Sequence, residues 1–302
     1  MLRKAARYLY APAMMVGMNG AAVWIVAARG MAGVGWLLPL FALALSLSFL
    51  VERWIPYAPE WNVRRGDLKR DIAQAVTTQT ITLAGVLMIP VAAHMRPWRN
   101  PWPYDLPLWV QVVMSLFIAD AGVTLAHYLS HRIPWLWPFH AGHHSPERMY
   151  GLNGLIRHPI QQMLEIFMAS AVLIAMGLPI KIGYLLAFAI AVQLLLQHSN
   201  ADMRLGPLRY VLAVGPVHRR HHLRQVKGFG VNFGLFTNVW DYLLGVADCG
   251  YGPEASAGEI GLEDSAYPIG YSAQLAYPFT RPRPEAGSRP QSKTEIGSEA
   301  RS

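Results

Sequence analysis

Five apolar runs limit what this chain can fold into. They fall at 11–28, 33–51, 72–95, 106–129 and 163–197 of 302 residues, each long enough to enter or cross a bilayer. A segment in hydrocarbon must satisfy its own backbone polar groups, so only helices or a closed barrel can span. None of the runs alternates apolar and polar residues with period two, which argues against a barrel. The predicted fold is all-α, a polytopic membrane helical bundle. The last run is too long for one crossing, and Gly177-Leu178-Pro179 divides it into arms 163–178 and 180–197. A tight helical hairpin is expected there, with arms short enough to be partly re-entrant. The start, Met1 to Arg7, resembles the charged region of a signal peptide, but further spans come directly after it, so it is expected to lead an uncleaved first span.

Composition agrees. Apolar and aromatic residues make up 53% and charged residues 15%, too greasy for an ordinary soluble domain of this length. The net charge of +8 is distributed unevenly. Arg3, Lys4 and Arg7 precede the first run, and Arg53, Arg64, Arg65, Lys69 and Arg70 follow the second. The intervening loops carry only Arg29, then Arg96 and Arg99, then Lys181. By the positive-inside rule the N-terminus, the 130–162 segment and everything after 198 are expected on the cytoplasmic side. No soluble basic face with interleaved aromatics is present, so nucleic acid is not an expected partner. Cys249 is the single cysteine, which excludes an internal disulfide and a cysteine-based zinc site. Three regions are expected: an N-terminal transmembrane region at 1–105, a catalytic domain at 106–282, and a disordered Pro-, Ser- and Gly-rich tail at 283–302.

Of the eleven histidines, all but His94 lie between 127 and 222. His127-Tyr-Leu-Ser-His131 sets two imidazoles one helical turn apart on one face. His140-Ala-Gly-His143-His144 and His218-Arg-Arg-His221-His222 each give an i, i+3, i+4 set, so a single turn can aim two or three rings at one point. Neutral imidazole is a common ligand for iron and zinc. These eight, with His158 and His198, exceed the need of one metal and suit two, each with four or five nitrogens. By the expected topology they form a cytoplasmic histidine-lined di-metal cap, while His94 falls at the opposite surface. Carboxylate di-iron sites use Glu-x-x-His, which is absent here, so the site should be nitrogen-rich. Two other classes compete. A histidine-based metal or proton transporter would place its ligands at the bilayer midplane on broken helices. A zinc-dependent membrane hydrolase would want a general-base glutamate, as in His-Glu-x-x-His, which is also absent.

In this order the clusters resemble the fatty acid hydroxylase / sterol desaturase superfamily of membrane di-iron enzymes, over about residues 116–282. His127 to His131 and His140 to His144 look like its first two boxes, with Asp120 seven residues before His127. Arg157-His158-Pro159 resembles its Arg-x-His-Pro element, Gln197-His198-Ser199-Asn200 the histidine after the hairpin, and His218 to His222 the third box. Asn232-Phe233-Gly234 and Trp240-Asp241 resemble the segment after the third box. Gln161 stands where many members have Glu, and Tyr128 where the first box often has Arg. The resemblance implies two iron ions held by His127, His131, His140, His143, His144, His158, His198, His218, His221 and His222, with zinc able to replace iron on overexpression. It implies O2 as oxidant and hydroxylation or desaturation of a lipid from the bilayer: a fatty acyl chain, sterol, carotenoid or polar lipid. Asp120, buried in a span, is expected to orient an imidazole N–H or else to pair with Arg132 or a backbone group. Asn232 is assigned a similar supporting role, and Asp241 a turn or cap. The chain has no haem-binding His-Pro-Gly-Gly and no Gly-rich nucleotide loop, so a separate electron donor is implied, a ferredoxin or a cytochrome b5-like protein with its reductase. The short chain, lacking a C-terminal di-lysine, points toward a bacterial inner membrane.

Overall fold

The computed structural model describes residues 1–95, 98, 100–224, 230–250, 259–263 and 266–280. Residues 283–302, expected to be a disordered tail, lie outside them. Among the described residues the regular structure is helical, with only isolated β-bridges. Helices α1 (Leu2–Pro12) and α2 (Asn19–Arg29) are joined by a π-helical turn into one long rod. Gly30, at φ 59°, ends that rod, and a 3₁₀ segment leads into α3 (Leu37–Trp54). Next come α4 (Leu68–Leu87), the short α5 (Ile89–His94) and the long α6 (Leu108–Arg132). Pro90 and the non-helical Met88 separate α4 from α5 within a single apolar run of the sequence.

The expected hairpin is present as α8 (Pro159–Met176) and α9 (Ile180–His198), after the one-site helix α7 (Trp137–His144). Gly177 adopts φ 93°, and its N–H and that of Leu178 bond back to Ile174 and Leu173, closing a Schellman cap that only glycine enters without strain. The arms have 18 and 19 residues, about 27–29 Å each, close to the ~30 Å hydrocarbon core, and both are apolar enough to be candidate spans. Three short helices complete the chain: α10 (Gly215–His218), α11 (Val239–Leu244) and α12 (Tyr271–Thr280).

α9 is the central helix: its residues from Leu185 onward are almost all buried, and α2, α3, α4, α6 and α10 pack around it. The apolar core runs unbroken from Met14 in the first rod through Val123 and Leu173 to Leu196. Large side chains such as Trp24, Leu43, Leu83, Val113, Phe117 and Phe167 are exposed on the outward faces, as lipid contact requires. α6 and α8 approach most closely at Gly122, whose missing side chain makes room for the Met168 carbonyl.

Buried polar contacts gather the connecting segments at one end of the bundle. Glu52, near the end of α3, accepts from the Gly151 N–H at 2.8 Å. Asp71, in the first turn of α4, accepts from the Tyr150 hydroxyl and the Asn153 amide. Arg148 makes a two-pronged bond to Asp67 at 2.7 and 2.8 Å. The C-terminal ends of α6 and α9 reach the same end. His94 is exposed and lies just after Ile89, which packs on Gly183 at the start of α9, so it sits at the other end, as expected.

Candidate metal centre

Each histidine is delivered by a helix end. His127 and His131 occupy the last turns of α6, which stops at Arg132 because Pro134 comes next but one and disfavours a helical Ile133. α7 has Pro138 in its first turn and is little more than two turns, enough to carry His140, His143 and His144. His198 ends α9 and His218 ends α10. A further turn, with His221 N–H bonded to the His218 carbonyl, presents His221 and His222.

The rings converge into two groups, and within each the ligand atoms lie within 4.8 Å of one another. His127, His131, His140, His144 and His221 form the first; His143, His198, His218 and His222 form the second. The groups adjoin, with the His144 and His222 rings 4.6 Å apart. The second box therefore divides between them, and so does the third. Nine of the ten expected ligands are brought together.

Hydrogen bonding fixes the tautomers at four of them. His127 Nδ1 donates to the Phe233 carbonyl at 3.0 Å and His221 Nδ1 to the Val231 carbonyl at 2.8 Å. A neutral imidazole carries one N–H, so both Nε2 atoms are bare lone pairs, yet they face each other at 2.9 Å. His143 and His198 repeat the pattern. Their Nδ1 atoms donate to Ile156 and Leu194 carbonyls at 3.1 Å, and their Nε2 atoms stand 3.3 Å apart. Facing lone pairs repel unless a cation lies between them. Separations near 3 Å are those of neighbouring ligands around an ion with bonds of about 2.0–2.1 Å. The donor set thus fits two nitrogen-ligated metal ions.

Electrostatics agree. Burial, with help from neighbouring imidazoles, pushes His140, His144, His218 and His222 well below the ordinary histidine range. Burial, then the Arg157 charge, does the same at His143, and His221 is lowered to about 4. The rings are neutral at pH 7, the form that ligates.

His158 is a correction. Its Nδ1 accepts from the Ile160 N–H at 3.1 Å, capping α8, and its Nε2 donates to the Leu275 carbonyl at 3.1 Å. Both nitrogens are used, and the ring packs on Phe139 rather than joining either group. Asp120 touches no imidazole among the described residues. Its carboxylate accepts from the Leu235, Phe236 and Thr237 amides and the Thr237 hydroxyl at 2.7–3.0 Å, so of the expected roles the backbone one is met. It connects to the histidine groups only through the chain: those amides come directly after Phe233, whose carbonyl accepts from His127.

The same segment is held from other sides. Asp241 accepts from the Phe233 and Gly234 N–H groups, and burial lifts its carboxyl to about 7 against their pull. Asn232, in the left-handed region at φ 56°, bonds Val217, next to His218, and both backbone groups of Asp248. Gln193 and Gln197 reach from α9 to the Ala213 and Leu235 carbonyls. Sequence reasoning missed Gln193 as a supporting residue; its signal was an amide inside an otherwise apolar span.

A small, partly open cavity of about 40 Å³ lies between α4, α6, α8 and α9. Val123 and Leu194 line it, one turn before His127 and His198. Arg157 and Glu165, paired at 2.7 Å and buried, stand at the same end.

Similarity to known proteins covers the same segments. The fatty acid hydroxylase family model matches residues 112–246, from near the start of α6 past the third histidine cluster. An ornithine lipid hydroxylase of Rhizobium tropici is 31% identical over 259 residues, 82% of this chain and 76% of that protein. An alkylglycerol monooxygenase of Xenopus tropicalis is 28% identical over 154 residues, 49% of this chain but only 31% of the relative. A Delta(7)-sterol 5(6)-desaturase of Candida glabrata is 26% identical over 222 residues, 70% of this chain and 57% of the relative. No solved structure matches the chain. The order of the histidine clusters, the helices that carry them and the extent of the match to the Rhizobium protein agree: this chain belongs to the fatty acid hydroxylase / sterol desaturase superfamily.

Proposed function

We propose that the chain is a membrane di-iron oxygenase that hydroxylates, or desaturates, a membrane lipid with O2 and electrons from a separate donor. The observation that carries this is the pairing of bare imidazole nitrogens in two adjoining groups of five and four. His127, His131, His140, His144 and His221 would hold one ion, and His143, His198, His218 and His222 the other. When bound, the metal ions supply the O2 activation that no side chain provides. The balance is one lipid C–H, O2, two electrons and two protons giving one C–OH and water.

The protein's part is positional. The Phe233, Val231, Ile156 and Leu194 carbonyls each hold a ring with Nε2 inward. The packed helices bury the rings and exclude bulk water. Relatives named for ornithine lipid, alkylglycerol and sterol oxidation support a lipid substrate. Ligands gathered at one end of the bundle speak against a permeation path through it. The concentration of Lys and Arg with that end supports a cytoplasmic site in an inner membrane, a ferredoxin or cytochrome b5-like partner being reached from there.

The test is purification with metal analysis, then incubation with total lipid extract, O2 and a ferredoxin–reductase pair. Wild type should give lipid products that gain one oxygen or lose two hydrogens, and His143→Ala should give none. Two bound metals with no oxidised lipid under these conditions would overturn the oxygenase.

A further inference from the structure

The chain after the third histidine cluster turns back toward the middle of the bundle. Exposed aromatics at the end opposite the metal groups, Trp98, Tyr104 and Trp109, mark one membrane boundary. Counting from Trp109 along α6 at ~1.5 Å per residue, a core of ~30 Å ends near Leu129. Asp120 and Phe117 then lie about 14 and 18 Å inside it. Asp120 accepts from the Leu235, Phe236 and Thr237 amides, and Trp240 packs on Phe117 with ring centroids 4.9 Å apart. α9 agrees: Gln193, which bonds the Leu235 carbonyl at 2.7 Å, is about 8 Å below His198. Residues 233–241 therefore sit at the depth of the hydrocarbon. Both ends of the excursion return to the metal groups, where Asn232 bonds the Val217 carbonyl next to His218 and Asp248 pairs with Arg220.

Non-helical backbone at that depth needs a partner for each polar group, because no water supplies one. The partners are present. From Phe233 to Asn238 every N–H is bonded: the first two to Asp241, the next three to Asp120, and the last to the Val211 carbonyl. The Gly234 and Leu235 carbonyls accept from Gln197, and the Phe236 carbonyl from the Ala213 N–H. A loop facing water would not need buried carboxylates and amides for this. What α11 turns outward is apolar. Tyr242, Leu243 and Leu244 are exposed, Leu243 by 73%, and so are Leu208 and Val211 on the strip bridged to Thr237. From Val239 to Ala247 the charged residue is Asp241, and it is buried. This face continues the lipid-facing side of α6 across the Phe117–Trp240 contact. Six residues are too few to cross a bilayer, but enough to lie within one leaflet.

We propose that residues 232–248 form a re-entrant element, with α11 immersed in the leaflet on the metal side and Tyr242, Leu243 and Leu244 packed against its acyl chains. The partner of this surface is the bilayer itself. The turn whose Phe233 carbonyl accepts from His127 is thereby anchored in lipid. This holds whichever reaction the metal groups carry out.

The experiment reads the surroundings of an introduced cysteine on the full, metal-loaded chain in phospholipid nanodiscs, where both membrane faces meet the buffer. Leu243→Cys carries a small thiol-reactive fluorophore. Phe167→Cys, on the outward face of α8, is the lipid reference, and Lys69→Cys, exposed in the first turn of α4, is the aqueous one. Cys249 is 5% exposed and stays in place, with wild type treated alike as its background. Leu243 stands on the surface, so its replacement should leave metal content and melting temperature near wild type. Iodide in the buffer should quench Leu243→Cys about tenfold less than Lys69→Cys, because hydrocarbon excludes the ion. Lipid with a nitroxide on its acyl chain should quench it as strongly as Phe167→Cys, and more than lipid with the nitroxide on its headgroup. Iodide quenching equal to that of Lys69→Cys would overturn the immersion of α11, and headgroup nitroxide as the stronger lipid quencher would overturn its depth. Protection from every quencher would also overturn the proposal, because a second copy of the chain would then cover this face in place of lipid.

Discussion

His127, on α6, and His221, on the turn after α10, point bare Nε2 atoms at each other across 2.9 Å, each with its Nδ1 proton committed to a backbone carbonyl. This arrangement is unfavourable without a cation, so metal removal should be felt by the whole cap. Chelation should lower the melting temperature in detergent, and restoring ferrous iron or zinc should recover it, since a ligand of the folded state stabilises by mass action. Metal analysis should give close to two ions per chain, and His221→Ala or His143→Ala clearly fewer. A melting curve indifferent to chelation, with metal content near zero, would sink the metal centre.

His158 separates box membership from ligation. Because both of its nitrogens bond backbone, His158→Ala should retain both metals. It should lose about 1 kcal/mol from the α8 cap, with a further loss where α12 is released. His158→Asn should restore the cap portion, since Asn caps well. Metal content and thermal melts on the two variants check this; loss of one metal in His158→Ala would return His158 to the ligand set.

Asp120→Asn is expected to act on metal through the backbone. The carboxylate faces three N–H groups and a hydroxyl, and an amide would turn a donor toward donors. The Phe233 carbonyl should lose its hold on His127, weakening metal binding about 10–100-fold, the size seen when a ligand's orienting partner is removed. Metal titration should show this in Asp120→Asn and not in Thr237→Ala, which removes only one of the four contacts.

Much of the fold was legible because membrane helices are written in local hydropathy. The hairpin was legible too, because Gly177 and Pro179 each have one structural meaning there. The convergence of nine imidazoles was legible, since i, i+3 and i+4 spacing puts them on one face. Their division into two groups was not, because His143 and His144 are neighbours in sequence and part ways only when α7 is docked. His158 was misjudged for a related reason. A histidine before a proline is also a helix N-cap, and its other partner, Leu275, lies 117 residues away. Asp120 was found by its cost in a span, but its partners are backbone amides that no pattern marks.

Stability should also carry an acid limb from outside the bundle. Burial alone would lift the Asp67 carboxyl, but the Arg148 bonds and charge overcome this and hold it below its ordinary value of 3.8. A carboxyl lowered on folding stabilises above its unfolded pKa, and the contribution fades as pH falls through the folded value. The Asp67–Arg148 contribution should therefore be complete above about pH 5 and decline below pH 4. Asp67→Asn should cost about 2 kcal/mol at pH 7 and flatten the melting-temperature profile below pH 4. An unchanged acid limb in Asp67→Asn would mean that the pair does not set it.

The closest helix contact should be the least tolerant of a single methyl group. A Cβ at Gly122 would overlap the Met168 carbonyl and the next amide nitrogen, all backbone, so α6 and α8 would have to separate. α6 carries His127 and His131, and the 145–158 segment that leads into α8 supplies the Ile156 carbonyl that holds His143. Gly122→Ala should thus cost about 3 kcal/mol or more and lower metal occupancy as well. Gly85→Ala is the control. Its Cβ would meet the Ile166 side chain at 3.0 Å, which can rotate, and alanine is the better helix former by about 1 kcal/mol. That variant should melt within a few degrees of wild type with full metal content. If both variants behaved alike, the α6–α8 contact would not be what sets the spacing of the two metal groups.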